Sequence, residues 1–187
     1  SATQWTPPRR APPAIALDGD GIETVGISTS PILFDHNADG LKTGTGWLSG
    51  DDAWLVMDRP DAQGAYNGTI DTGRELFGVD TQITVEGVTR NATTGFEALS
   101  SLDANGDKVF NSQDAAFTQV RLWQDLNQDG ISQSNELSTL TDKGITAISL
   151  TPTVTNTTLG TTGNVITGKA TVTRTTGDTE IDAVASP

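Results

Sequence analysis

Aspartate, asparagine and glycine recur together in five clusters along this chain, and that recurrence limits what it can fold into more than its hydrophobic pattern does. Carboxylates gathered so closely repel one another, so a fold that keeps them together has to supply cations or spread them in solvent. The most complete cluster is "DLNQDGISQSNE", Asp125 to Glu136, which satisfies the spacing D-x-[DN]-x-[DN]-G-x5-E without a gap. Calcium takes about six to eight oxygens at roughly 2.3 to 2.6 Å, so such a loop turns side chains 1, 3 and 5 inward and returns a carboxylate at position 12. Asp125, Asn127, Asp129 and Glu136 fill those places, Gly130 occupies the sharp turn, and the carbonyl of Ile131 is the expected ligand at position 7. Ser132 stands at position 8, where an apolar residue is usual, so pairing with a second loop is expected to depart from the standard arrangement.

A second loop, "DANGDKVFNSQD", places Asp103, Asn105, Asp107 and Asp114 at positions 1, 3, 5 and 12, with Phe110 at the apolar position 8. Lys108 replaces the turn glycine, at a cost of roughly 1 kcal/mol if φ is positive there. Three further clusters offer Asp18, Asp20 and Glu23; Asp35, Asn37 and Asp39; and Asn67, Asp71 and Glu75. The last reads as an EF-type loop broken by an insertion, with Asp58 and Asp61 both open as its first ligand. For any single cluster an Asx turn without metal is an equal reading, since Asp and Asn beside Gly close turns unaided. Five in one acidic chain favour several calcium ions over magnesium, which tends to keep its waters.

Composition points the same way. The net charge is −13, from 24 acidic and 11 basic residues, which repels nucleic acid and anionic membranes. Four or five divalent ions would bring it to about −5 to −3, ordinary for a soluble domain. Leu, Ile, Val and Phe make up 41 of the 187 residues, close to the roughly 20% level below which a highly charged chain stays disordered, so the core needs help. Cysteine is absent, so disulfides and thiolate zinc cannot supply that help. His36 is the only histidine, which leaves no zinc set and no partnered serine triad. No apolar run is long enough to span a membrane, and a monomer is expected. The four tryptophans read as core or loop anchors rather than a sugar platform.

The pattern of elements predicts a single α+β domain. Residues 1–13 hold four prolines and read as an extended leader, with the calcium module over 14–187. Phe96, Leu99 and Leu102, then Phe117, Val120 and Trp123, recur at helical spacing, so 95–142 is expected to be an EF-hand-like helical segment. Short strands surround it: around "ITVEGVT", at "ITAISL", and in the β-branched C-terminal runs, where "TTGD" marks a hairpin turn. The 151–168 stretch shows no tandem nonapeptide repeat.

Taken together, "LDGDGIETVGI", "LFDHNADGLKTGTGWLSGDDAWLV", "NGTIDTGRELFG", "GFEALSSLDANGD" and "RLWQDLNQDGISQSNELSTL" resemble the self-processing module of repeat-in-toxin (RTX) proteins of the iron-regulated, FrpC-like group. The resemblance runs from about residue 12 to the C-terminus and is weaker in the Thr-rich end. It implies a module that folds on calcium after type I export to the cell surface or medium. That module then cuts an Asp-Pro bond at its own N-terminal edge, and the new Asp end can join a lysine amine of another protein. The chain departs from the pattern at that bond, which falls on Ala11-Pro12, and no Asp-Pro occurs anywhere in it. A replacement that traps the uncut precursor and a homologue that lost the reaction both fit the sequence. The alternative reading is a non-catalytic, calcium-stabilised structural or binding module of a secreted RTX or adhesin protein.

Overall fold

The computed structural model describes residues 11–25, 32–159 and 164–185, with the side chains of Asn156 and Ala185 left aside. Residues 1–10, most of the expected leader, lie outside it. In chain order the strands of the first half are β1 (Pro13–Ile15), β2 (Thr24–Val25), β3 (Ile32–Phe34), β4 (Thr43–Thr45), β5 (Trp47–Leu48), β6 (Ala53–Val56), β7 (Gln82–Val85) and β8 (Val88–Asn91). After helix α1 (Gly95–Ser100) come β9 (Val109–Asn111), β10 (Arg121–Trp123), β11 (Leu137–Thr139), β12 (Ile145–Ser149), β13 (Thr153–Thr158), β14 (Val165–Arg174) and β15 (Thr179–Ala185).

Nine of these strands form one antiparallel sheet in the order β11-β10-β6-β1-β15-β14-β12-β9, with β13 also on β14. β1 therefore sits in its interior, with Ala14 opposite Trp54 of β6 on one side and Asp182 of β15 on the other. Side chains alternate across a strand, and both faces of this sheet are covered. Ile15, Leu55 and Leu122 join Phe77, Phe96, Phe110 and Val172 in one core. Ala14, Trp54 and Trp123 join Phe34, Trp47 and Val184 in the other. There the aromatic rings of Phe34, Trp47, Trp54 and Trp123 meet at centroid distances of 5.3 to 5.9 Å, so these tryptophans are the core anchors the sequence suggested.

The α+β expectation is overturned: the protein is mostly β, and 95–142 is not a helical segment. Phe96 and Leu99 do lie on a helix, capped by the Thr94 hydroxyl accepting the Glu97 amide, but it stops after six residues where the Asp103 loop begins. Phe117 lies on a single 3₁₀ turn, Ala115–Thr118, and Leu122 and Trp123 lie on β10. The three-residue spacing misleads because Leu122 and Trp123 are adjacent and both buried, one in each core, which only a strand covered on both faces allows. The expected strands at "ITVEGVT", "ITAISL" and the C-terminal runs are present, and Glu86-Gly87 closes β7–β8 with φ of 52° and 81°. No described helix is long and apolar enough to cross a membrane.

Because Leu122 is fully buried on β10, opposite Leu55, Leu122→Ala should destabilise the protein by about 2–5 kcal/mol. Urea unfolding followed by tryptophan fluorescence measures it, and a loss well under 1 kcal/mol would contradict the two-core arrangement.

Candidate metal centre

Asp125 starts its loop with both carboxylate oxygens engaged by the chain it folds. Oδ1 accepts the Asp129 amide at 3.1 Å and Oδ2 the Gly130 amide at 2.8 Å. The indole of Trp47 also donates to Oδ2, at 2.8 Å, tying the loop to the tryptophan core. Asp129 Oδ1 accepts the Ile131 amide, and Asn127 donates to Asp129 Oδ2. At the far end Glu136 Oε1 accepts the Leu126 amide at 3.0 Å, while Oε2 accepts the Gln133 amide and the Trp123 indole, each at 3.2 Å. One oxygen each from Asp125, Asp129 and Glu136 thereby comes within 4.8 Å of the others, the closeness a shared cation needs. Burial pushes the Asp125 carboxyl up, against the Gly130 and Asp129 amides and the Trp47 indole, which favour its charge. Gly130 has φ +69°, and a Cβ there would lie 2.7 Å from the Leu33 carbonyl oxygen, so the turn excludes any larger residue twice over.

The same bonding pattern recurs in the second loop. Asp103 accepts the Gly106 and Lys108 amides at 3.1 and 2.8 Å, and Asp107 accepts that of Val109. Asp114, buried, accepts the amides of Ala104 and Asn111 at 2.9 and 3.0 Å, as Glu136 does in its own loop. Asn105 bridges Asp107 and Gln113. Lys108 takes φ +62°, the strained turn its position demanded.

Hydrogen bonding distinguishes the two aspartates of the interrupted loop. Asp58 Oδ2 accepts the Gly68 amide at 2.7 Å, Asn67 Oδ1 accepts that of Thr69, and the Arg59 amide donates to Glu75 Oε1 at 3.3 Å. These are the bonds that positions 1, 5 and 12 make in the other loops, so Asp58 matches position 1 in its bonding. Asp61 instead caps the inserted turn through the Gln63 and Ala65 amides. Asp71 accepts the Asn67 amide nitrogen and the Thr69 hydroxyl. Ser132 explains its own irregularity: its hydroxyl accepts the buried Ile70 amide at 2.7 Å, joining this loop to the 125–136 loop through a side chain.

The remaining two clusters are built differently. Asp35, buried, accepts the Asp39 and Gly40 amides, and Asp39 accepts that of Leu41, but position 12 of this loop is Gly46 and returns no carboxylate. The Leu41 amide and then Asn37 hold the Asp39 carboxyl below its ordinary range. Asp18, Asp20 and Glu23 lie exposed beside Asp51 and the buried Asp52, two acids that the sequence reading missed. The only local signal was "SGDDA" ahead of an apolar strand; the rest comes from pairing of β1 with β6.

The Ala11-Pro12 peptide is not a free leader. Ala11 and Pro12 are both buried, and the Pro12 carbonyl accepts the Val184 amide at 3.1 Å. Gly95, at the start of α1, lets the chain pass: a Cβ there would lie 2.8 Å from the Ala11 carbonyl oxygen and 2.9 Å from Pro13 Cδ.

The chain is similar to known proteins over most of its length. The family model described as the SPM domain matches residues 14–185. The chain is also similar to the iron-regulated protein FrpA of Neisseria meningitidis serogroup C, with 46% identity over 169 residues. That match covers 90% of this chain and 14% of the relative, so the chain spans a small part of the protein it matches.

Burial pushes the Glu75 and Asp52 carboxyls up to about 7 from ordinary values of 4.5 and 3.8. A carboxyl raised on folding binds protons more tightly in the folded state, so its stabilisation is full below about pH 4 and is lost as pH climbs through about 7. In chelator, the urea midpoint should therefore fall between about pH 4 and pH 8 relative to an Asp52→Asn, Glu75→Gln variant. A midpoint that rises against the variant over that window would contradict this assignment.

Proposed function

The chain belongs to the SPM domain family, the FrpC-like self-processing module of RTX proteins, and from that premise we propose that it is a calcium-folded module built to cut the bond between positions 11 and 12. The observation that carries the reading is the burial of that peptide at the entrance to the interior strand β1, between the Gly95 backbone and β15. A processing site left for a separate protease would sit in an exposed linker.

The chemistry needs an aspartate at position 11. Its carboxylate oxygen attacks the carbonyl carbon of its own residue, closing a five-membered anhydride as the C–N bond to Pro12 breaks. The departing proline nitrogen takes a proton and becomes a secondary amine, and it leaves from a tertiary amide without an N–H. Water then opens the anhydride to a free aspartyl end, or a lysine amine opens it to an isopeptide. Ala11 offers no nucleophile, so this chain is the uncut form, with its own N-terminal segment as the substrate in an aspartate-bearing version.

Calcium would be held by Asp125, Asn127, Asp129 and Glu136, by the equivalent residues of the 103–114 loop, and by Asp58, Asn67 and Glu75. In each set, amides already orient the acids that such an ion would join. Ion binding to groups that converge only on folding adds directly to stability, so the module would stay open where calcium is scarce and close after export.

Intact mass of an Ala11→Asp variant carrying an N-terminal fusion should show a split between residues 11 and 12 in millimolar calcium and none in chelator. An uncut, calcium-folded Ala11→Asp product would leave the non-catalytic structural module in its place.

A further inference from the structure

We propose that the groove beside position 11, between α1 and the β13–β14 pair, receives the side chain of the lysine that opens the anhydride, with Phe96, Val154 and Gly168 setting its fit. The inference rests on the self-cutting reading above and adds to it the place where the acceptor enters.

Two cavities adjoin position 11, and they differ in size. One, of about 10 Å³, lies between Ala11, Pro12, His36 and Gly73, about the space of a single water. The other, of about 250 Å³, is lined by Ala11, Thr93, Phe96, Pro152, Val154 and Gly168. It falls below the roughly 300–1,000 Å³ of drug-sized pockets, so its scale is that of one long side chain rather than a larger ligand. Among the described residues, none that lines it carries a charge.

A lysine carries its amine on a four-carbon aliphatic stem, which packs along apolar surface while the polar tip reaches beyond it. Phe96 is buried and forms a fixed wall, whereas Val154, 86% exposed, leaves an apolar rim open to an incoming chain. Val154 pairs with Gly168 across the β13–β14 ladder. Gly168 keeps φ outside the left-handed region, so its backbone makes no demand for glycine. Its missing side chain is a matter of space: a Cβ would lie 3.3 Å from Phe96 Cε2, and a larger side chain would compete with an occupant for the groove. The apolar lining also disfavours the ammonium form, and only the neutral amine attacks. Its nitrogen bonds to a carbonyl carbon of the anhydride as the ring C–O bond breaks to a free carboxylate, and the proton shed by the nitrogen passes to solvent. With 24 acidic residues against 11 basic, the field of the chain draws a lysine-bearing partner toward it.

The test uses the full chain as Ala11→Asp with an N-terminal fusion, in millimolar calcium with either Nα-acetyl-lysine amide or its one-carbon-stem analogue, Nα-acetyl-diaminopropionamide. Intact mass of the released N-terminal fragment gives the fraction of cut chains that carry the probe instead of water. The lysine probe should be taken up roughly ten-fold more than the short one, and Gly168→Val or Val154→Arg, added to Ala11→Asp, should each lower that preference to below about three-fold. Val154 is exposed, so Val154→Arg keeps the test decisive where Gly168→Val fails to fold. If Ala11→Asp is cut but takes both probes equally or neither, or if the folded variants keep the preference, the groove is not the acceptor site and the self-cutting reading stands. If Ala11→Asp is not cut in calcium, that reading falls and the role of the groove falls with it.

Discussion

Two indole hydrogen bonds organise this protein. Trp47 donates to Asp125 and Trp123 to Glu136, so the first and last acids of one loop are fastened to rings packed in the sheet core. Both carboxylates are buried, and neither can relax into water without disturbing the tryptophans. Loop electrostatics and core packing are thus one problem. A cation that steadies the acids steadies the aromatic core, and a defect in that core loosens the acids.

The sheet carries this coupling to the N-terminal edge. Trp123 is on β10 and Trp54 on β6, paired across the ladder, and β6 in turn pairs with β1. On the other side of β1, Val184 holds the Pro12 carbonyl and Asp182 faces Ala14. The peptide at positions 11 and 12 is therefore fixed by strands from both ends of the chain. A segment completed only when strands from both halves are in place reports that the whole module has folded, a suitable condition for the proposed reaction.

The turns of the acidic loops were legible in the sequence because their geometry is local. An aspartate at position 1 that accepts amides three to five residues later is fixed by short-range turn chemistry, so Asp103, Asp125 and their partners could be read off spacing alone. Legibility failed wherever a residue's role came from a distant strand. Asp51 and Asp52 meet Asp18 and Glu23 only through β1–β6 and β2–β5 pairing. The choice between Asp58 and Asp61 was hidden by the insertion between Asp58 and Asn67 and required the Gly68 and Arg59 amides to resolve. The helices expected over 95–142 failed for the opposite reason: a three-residue spacing over so short a run suits a strand buried on both faces equally well. The hairpin turn at "TTGD" was legible because its turn residues act alone, as Gly177 at φ +128° shows.

In the proposed reading, cation binding in the acid loops fixes the strand bearing Pro12. Amide hydrogen exchange at Val184, whose N–H is held by the Pro12 carbonyl, tests it most directly. Protection should be at least a hundred-fold greater in saturating calcium than in chelator. Equal protection in the two conditions would mean that β1 is seated without the ions, and would contradict the claim.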